Sequence, residues 1–270
     1  MPIDWLVDYW QAKAEATLPF LAGRAVAMQL RFDDHIVFRR HNTDGSFVHV
    51  ESSDDLLHWA RQHCYSFHPH LEGDPFLFAL DIDRRSEDMP LQAVNYCAQE
   101  LAALLAELDI RFLLKFSGRR GFHFFWGFAP SDLEQAAGQE PWEFERAIIR
   151  GLRRRLEERL QAGTRAGELY ALLGLEPGMP LTVTNSADKA HERSVLLDEN
   201  IVHHLGSLRS PWSVHPESGL VSLPLKVEEL AGFQPEQASP QRALERDGPR
   251  EIPLNAAAAL AELARDAAKH

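Results

Sequence analysis

Two aspartates one residue apart, Asp81 and Asp83, close an apolar run that reads Phe76-Leu-Phe-Ala-Leu-Asp-Ile-Asp83. On a strand, residues i and i+2 point to the same face, so both carboxylates would enter one space. Like charges held that close repel, and a cation between them relieves the repulsion. Mg²⁺ and Mn²⁺ suit the position because they favour oxygen ligands and substrate phosphates. A second motif, Ser117-Gly118-Arg119-Arg120-Gly121-Phe122-His123, has the composition of an anion cradle. Its glycines let backbone N–H groups turn inward, and the Ser117 hydroxyl adds a donor. Arg119 and Arg120 carry planar forks matched to phosphate oxygens, and His123 begins the next apolar run. The third piece is Leu196-Leu-Asp198, again an acid at the end of an apolar run, followed by Leu208-Arg209-Ser-Pro-Trp-Ser-Val-His215-Pro216. A third carboxylate would complete the ligation of two metal ions, with Arg209 and His215 supplying further groups for phosphates.

Each piece also has a plain reading. A D-x-D can be a surface turn or a cap, and the glycine-arginine motif a polar hairpin tip with solvated side chains. Asp198 alone reads as a helix cap and His215 as a loop histidine. A metal pair and a phosphate cradle in one chain together describe a triphosphate site, which weakens the plain reading of both.

These groups need a scaffold, and the hydrophobic periodicity supplies one. Residues 4–18 carry Trp5, Leu6, Tyr9 and Trp10 at helical spacing, ending before Pro19. An extended segment from Ala25 to Phe32 turns at Asp33-Asp34 into Ile36-Val-Phe-Arg. Ser52-Ser-Asp-Asp opens a helix to about His63, with Ser and Asp as N-caps. The 76–83 run lacks alternation, which indicates a strand buried on both faces. Leu91, Val94, Ala98, Leu101, Leu104 and Leu105 line one side of a helix from Pro90 to Leu108. Arg111–Phe116 and Phe122–Phe128 read as strands of a hairpin around the glycine-arginine motif. A further helix spans Trp142–Leu160, whose Arg150, Arg153, Arg154 and Arg155 lie among acids and read as a solvated face. Leu181–Thr184 and Ser194–Asp198 are strands, and a helix or turn runs through His203 and His204. An Ala/Leu helix from Leu254 to Ala268 closes the chain. The domain reading is 1–233 for the catalytic unit, 234–252 for a linker and 253–270 for a C-terminal helix. Alternating strands and helices make the fold class mixed α/β.

The net charge of −12 over 270 residues opposes phosphate-driven duplex binding unless positive charge is concentrated in one groove. Two cysteines, Cys64 and Cys97, are too few for a disulfide framework and badly spaced for a zinc cluster. The acidic start, Met1-Pro-Ile-Asp-Trp, and the lack of a run of about 18–20 apolar residues lead to the expectation of a cytoplasmic, nucleoid-associated protein with no membrane partner.

In order and spacing the three motifs resemble those of the archaeo-eukaryotic primase superfamily. Asp81-Ile-Asp83 resembles its metal-binding first motif, and Ser117–His123 the second motif of the primase small (catalytic) subunit. Asp198 with Arg209 and His215 resembles the third, in which a metal-binding Asp precedes a basic residue and a His that contact the nucleotide. Leu18-Pro-Phe-Leu-Ala-Gly-Arg24, Phe38-Arg-Arg40-His and Phe67-His68-Pro-His-Leu are similar to segments of the polymerase domain of bacterial end-joining ligase D. That resemblance puts Arg40 where a nucleotide-contacting basic residue lies and His68 where the family has an active-site histidine; their plain readings are a strand-edge arginine and a loop histidine.

The resemblance spans residues 4–225 and implies an RRM-like unit packed against a second α/β unit, with the site in the cleft between them. It implies two Mg²⁺ or Mn²⁺ ions on Asp81, Asp83 and Asp198. It also implies a nucleotide held by Ser117, Gly118, Arg119, Arg120, His123, Arg209 and His215. No zinc is expected, because the cysteine cluster common in primase small subunits is missing. The implied partners are nucleoside triphosphates and a single-stranded or primed DNA template, with a separate ligase, helicase or primase accessory subunit as further candidates. Three functions fit: a primase-polymerase that initiates strands, a repair or end-joining polymerase that extends ends or fills gaps, and a binding module whose catalysis has lapsed.

Overall fold

The fold is that of a computed structural model, which describes residues 4–33, 35–138, 140–185, 187 and 191–267. It opens with helix α1 (Asp4–Thr17), which buries Leu6, Tyr9 and Trp10 as the helical spacing requires. Strands β1 (Val26–Phe32) and β2 (His35–Arg39) form an antiparallel hairpin in which Phe32 pairs with His35. The loop is two residues long, and Asp33 takes a left-handed φ of 50° there; Asp34 lies outside the described residues. Helix α2 (Ser53–Ala60) starts at a capping box in which Ser52 Oγ accepts from the Asp55 N–H and the Asp55 carboxylate accepts from the Ser52 N–H. Strand β3 (Cys64–Pro69) then pairs with β1, completing a small sheet ordered β2-β1-β3.

The second sheet carries six strands in the order β7-β8-β4-β6-β5-β9. Its centre is β4 (Phe76–Asp83) beside β6 (Gly121–Phe128), antiparallel over eight residue pairs. β6 is buried along its whole length and β4 at all but Asp81. That explains the unbroken apolar run: a strand covered on both faces cannot alternate. Outside them lie β5 (Leu113–Phe116), β8 (Val195–Asp198) and the two-residue strands β7 (Thr182–Val183) and β9 (Pro224–Leu225).

Helix α3 (Leu91–Glu107) buries its apolar side, Leu101, Leu104 and Leu105 included. Helices α4 (Pro130–Ala137), α5 (Pro141–Ala162) and α6 (Ala166–Leu173) follow. On α5 the arginines face acids: Arg150 pairs with Glu199 at 2.7 Å and Arg155 with Glu262 at 3.6 Å.

The periodicity did not separate β3, β9, α4 or α6 from their surroundings. They are short, with two residues in β9, six in β3 and eight each in α4 and α6, too few to set a period. β5 begins at Leu113 rather than Arg111, whose backbone N–H is taken by Asn255 Oδ1 at 3.0 Å. His203 and His204 lie in a turn.

The stretch 234–252 runs along the body. It carries a 3-10 turn at Pro235–Ala238 and helix α7 (Pro240–Leu244), with Ala238 and Ala243 fully buried. Helix α8 (Ala257–Ala267) packs on α5, where Gly151 leaves room for the Leu263 backbone. Residues 268–270 of the expected terminal helix lie outside the described residues. Among the described residues no helix is long and apolar enough to cross a membrane.

One segment joins the two sheets. Residues 208–223 leave the C-terminal side of β8 and run between β3 and β5. The N–H groups of Leu208, Ser210 and Val214 donate to Pro69, Phe67 and Tyr65 on the small sheet, and Phe116 of β5 donates to Leu223 O at 2.8 Å. Tyr9 fixes the middle of the segment through a 2.7 Å hydrogen bond from its hydroxyl to Trp212 O.

Candidate active site

Sheet register places the first group of site residues. Across the large sheet Asp198 pairs with Asp81, Asp81 with His123, and His123 with Lys115. Directly paired residues share a face, so one row runs Lys115, His123, Asp81, Asp198 across four strands. Asp83 lies two residues along β4 and therefore on the same face. His123 Nε2 stands 3.3 Å from Asp81 Oδ1, and Arg120 reaches Asp83 Oδ2 at 3.0 Å.

The loop between β5 and β6 is shaped by its two glycines. Ser117 N–H donates to Gly121 O at 2.8 Å, and Ser117 Oγ accepts from the Gly121 N–H at 3.1 Å. Gly118 has φ +95°, and a Cβ there would meet the His215 Cβ at 3.1 Å. At Gly121 a Cβ would sit 1.9 Å from Ile82 O and 2.8 Å from Asp83 Oδ1. Only glycine lets the hairpin pass this close to the aspartate strand. The Ser117 hydroxyl, expected to face an anion, therefore also holds the turn closed.

The bridging segment contributes the rest. Arg209 is buried, donates to Gln29 Oε1 at 3.0 Å and to Ser117 O at 3.4 Å, and so ties the small sheet to the loop. His215 Nδ1 accepts from the Glu217 N–H at 3.2 Å. His68, on β3, hydrogen-bonds through Nε2 with Ser66 Oγ at 2.9 Å.

Between these elements lies a cavity of about 180 Å³. Asp81, Asp83 and His123 line it from the large sheet, Ser117, Arg119 and Arg120 from the loop, Arg209 and His215 from the bridge, and His68 from the small sheet. Ile201, Ser207 and Leu208 complete the wall. Three expected residues stand apart from the lining. Gly118 acts through the loop backbone. Arg40 lies over the Phe38 ring at 5.1 Å, and that ring packs against His68 at 5.5 Å. Asp198 is beside Asp81 in register, but its Oδ1 accepts from Asn200 N at 2.9 Å and Asn200 Nδ2 at 2.7 Å. The arginines of the loop are also engaged: Arg119 Nε pairs with Glu87 at 2.9 Å and its Nη1 with Glu217.

Sequence reasoning missed Lys115. It is fully buried, its Nζ meets His123 Nδ1, and it donates to Ser222 Oγ at 3.1 Å. The signal was present as a lone charge inside the apolar run Leu113-Leu-Lys-Phe116, two residues before the cradle.

Electrostatics resolve the paradox of an acidic protein. Arg119, Arg120 and Arg209 gather around the aspartates, so positive charge is concentrated here although the chain carries −12 overall. Burial, then Arg209, holds Lys115 well below the ordinary amine value. Burial, then the neighbouring Asp198, pushes Asp81 up to about 7. Burial and Asp81 push Asp83 well above the usual carboxylate range, against the pull of Arg120. Burial and adjacent cations hold His68 and His123 well below the ordinary imidazole value and His215 down to about 3, so all three are neutral at pH 7.

Asp81 Oδ1 and Asp83 Oδ1 are buried without a hydrogen-bond donor. A hard divalent cation satisfies such oxygens and removes the reason for their raised affinity for protons. The donor set therefore fits Mg²⁺ or Mn²⁺. Among the described residues no three His, Cys, Asp or Glu side chains form a ready metal cage. An open two-carboxylate site is what Mg²⁺ uses when phosphates and water supply the remaining ligands. Cys64 and Cys97 are both buried and unbridged.

The sequence family described as LigD, primase-polymerase domain, matches residues 31–170, a little over half of the chain. The chain belongs to that family. It thereby falls within the archaeo-eukaryotic primase superfamily. The match includes Asp81, Asp83 and the whole Ser117–His123 loop, and ends before Asp198, Arg209 and His215. Among solved structures, the polymerase domain of Mycobacterium tuberculosis ligase D, in a complex with DNA, is similar in fold with a TM-score of 0.68. The likeness covers 90% of this chain and 88% of that one at 16% identity. No curated protein matches by sequence. The mixed α/β architecture with two sheets agrees with the expected fold class.

Proposed function

We propose that the chain is a template-dependent nucleotidyltransferase of the primase-polymerase kind, acting on nucleoside triphosphates at the cavity between the two sheets. The observation that carries this reading is a cavity where two carboxylates, each with one buried oxygen lacking a donor, meet arginines and histidines brought by the large sheet, the loop, the bridging segment and the small sheet. A hydrolase would need the carboxylates but not the cradle. A lapsed module would not be expected to keep both.

In this reading a primer 3′-hydroxyl attacks the α-phosphorus of the bound nucleotide, the bond to the β-phosphate oxygen breaks, and pyrophosphate leaves. Asp81 and Asp83, with Asp198 beside Asp81 in register, would hold two Mg²⁺ or Mn²⁺ ions. When bound, these supply activation of the hydroxyl and neutralisation of the leaving pyrophosphate. Arg119 and Arg120 exchange their present carboxylate partners for triphosphate oxygens. Arg209, His123 and His215 add donors from a wall that excludes water, and the Ser117–Gly121 loop presents its backbone to the same phosphates. Residues 1–233 constitute the catalytic domain, and a primed or single-stranded DNA is the template.

Membership of a ligase D family favours extension and gap filling, beside a separate ligase, over initiation. Synthesis assays with Mn²⁺ or Mg²⁺, single-stranded template and labelled triphosphates, with and without a primer, decide this. Primer-dependent products establish the repair type, and primer-free products the initiating type. Asp81→Ala run alongside should give neither. Equal products from Asp81→Ala and wild type would overturn the metal assignment.

A further inference from the structure

A turn lies in the middle of the bridging segment, between the two site residues that this segment carries. The Ser213 N–H donates to Ser210 O at 3.3 Å, closing the four residues Ser210-Pro211-Trp212-Ser213. Proline fixes the second position, and the third, Trp212, has a φ of 68°. Glycine ordinarily takes that third position, because a side chain at positive φ crowds its own backbone. A bulky residue persists there only when its surroundings over-determine it, and such residues cluster where geometry is functional. Arg209 stands three residues before this tryptophan and His215 three after it.

Trp212 is held from behind. It is fully buried, yet the cavity lining does not include it. Its carbonyl accepts from the Tyr9 hydroxyl at 2.7 Å, and its N–H donates to Ser222 O at 2.8 Å. Lys13 Nζ lies 4.1 Å from the centre of its ring. Gly248 runs against the ring edge, where an added Cβ would stand 2.4 Å from Trp212 Cζ2. The same lysine donates to Arg246 O at 2.7 Å, so α1 fastens the chain around 246–248 over the ring. Nearer the start of this stretch, Ala238 O accepts from the Val221 N–H at 2.7 Å. What composition reads as a linker is therefore a strap across the back of the bridging segment.

We propose that Trp212 is a positioning residue: clamped by Tyr9, Lys13 and the Gly248 strap, it sets the spacing at which Arg209 and His215 face the cavity. Glycine would make the same turn but would give the strap nothing to grip. The working unit then extends past residue 233 to include the strap. That Arg209 and His215 serve a nucleotide rests on the function proposed above; the clamp does not.

Hydrogen exchange of the full chain, without substrate, tests the clamp. The reporters are the N–H groups of Ser210, Val214 and His215, which donate to Phe67 O, Tyr65 O and Leu220 O. The amides of the β4–β6 pairing are the internal reference. Gly248→Ala drives a methyl into the ring and should speed exchange at the reporters by about tenfold or more, as local overpacking does, while the reference keeps its rates. Adding Trp212→Phe removes the ring atoms that clash, and the double variant should return the reporters most of the way to wild type. In primer extension with Mg²⁺ and dATP, Gly248→Ala should raise the nucleotide KM by about tenfold, the scale of one lost hydrogen bond to a charged group. The change in kcat should be smaller, and the double variant should recover most of the KM. Lys13→Met frees the strap without a clash and should move the same reporters and the same KM to a smaller degree. It carries the decision if Gly248→Ala does not fold. Reporters that keep wild-type rates in the folded variants overturn the clamp, and so does an equal acceleration of the reference amides. A loosened bridge with an unchanged KM overturns the positioning role. If the wild type synthesises nothing, exchange still decides the clamp, and the functional reading alone fails.

Discussion

The floor and the rim of the cavity are built on different principles. The floor is a row of side chains on paired strands: Lys115, His123 and Asp81, with Asp83 beside them. Each position follows from strand register, and a slip of one residue would turn the whole row to the other face. The rim is a loop whose Arg119 and Arg120 side chains are 39% and 47% exposed and bound to carboxylates. The partners of Arg119, Glu87 and Glu217, are themselves exposed, and exposed ion pairs contribute little and exchange easily, whereas Arg120 reaches down to the buried Asp83. The floor is therefore preset before any ligand arrives, whereas the rim can trade partners. Preset groups suit the reacting atoms, and exchangeable ones suit a triphosphate that must enter and leave as pyrophosphate.

That contrast can be broken at the floor first. Asp81→Ala or Asp83→Ala should reduce primer extension by at least about a hundredfold, as expected when groups holding the reacting centre are removed. The thermal midpoint should hold or rise, since a buried, self-repelling carboxylate is lost. A loss of folding instead would make the pair structural.

Next in size is the seam between floor and rim. Gly121→Ala would drive a methyl into the Ile82 carbonyl, where an ideal Cβ stands at 1.9 Å. Overpacking against backbone predicts destabilisation of roughly 2–4 kcal/mol in urea unfolding, at the upper end of such effects. Gly118→Ala should cost less, about 1–2 kcal/mol, because its neighbours stand at 3.1 Å or more and the strain is that of its positive φ.

The carboxylates also give the floor a pH signature. Asp81 is raised from 3.8 to about 7, so the metal-free folded state binds more protons than the unfolded chain between those values. The contribution of this group to stability is therefore complete below about pH 4 and declines as pH rises to about 7. Saturating Mg²⁺ should flatten that decline, and Asp81→Asn should remove part of it, with the raised Asp83 carrying the rest. Denaturation midpoints between pH 5 and 8, with and without the ion, measure this; an unchanged slope in Asp81→Asn would locate the protons elsewhere.

The smallest expected effect is at the rim. Arg119→Ala should shift stability by no more than about 0.5 kcal/mol while raising the nucleotide KM several-fold. Equal losses of stability and affinity would show that the rim is as preset as the floor.

Several features were legible without coordinates because they are local. Consecutive strand positions put Asp81 and Asp83 on one face, and the glycines around Arg119 and Arg120 required a tight hairpin. The capping residues of α2 and the apolar stripe of α3 depend only on neighbours within a turn or two. The likeness of the motifs to the primase superfamily pointed to the family that the comparison found. Arg40 and Asp198 show where such reasoning stops. Residue type gives each a role, but the Phe38 ring stands between Arg40 and His68 of the cavity wall, and Asn200 occupies an oxygen of Asp198. Lys115 shows the converse: an unremarked lysine becomes central because β5 pairs with β6 in one register and Ser222 arrives behind it. Sequence by itself determined which residues are charged, which spans are apolar, and which backbone positions must be glycine. Tertiary structure decided which charges meet, because register and chain crossing join groups more than a hundred residues apart, and burial then sets their proton affinities.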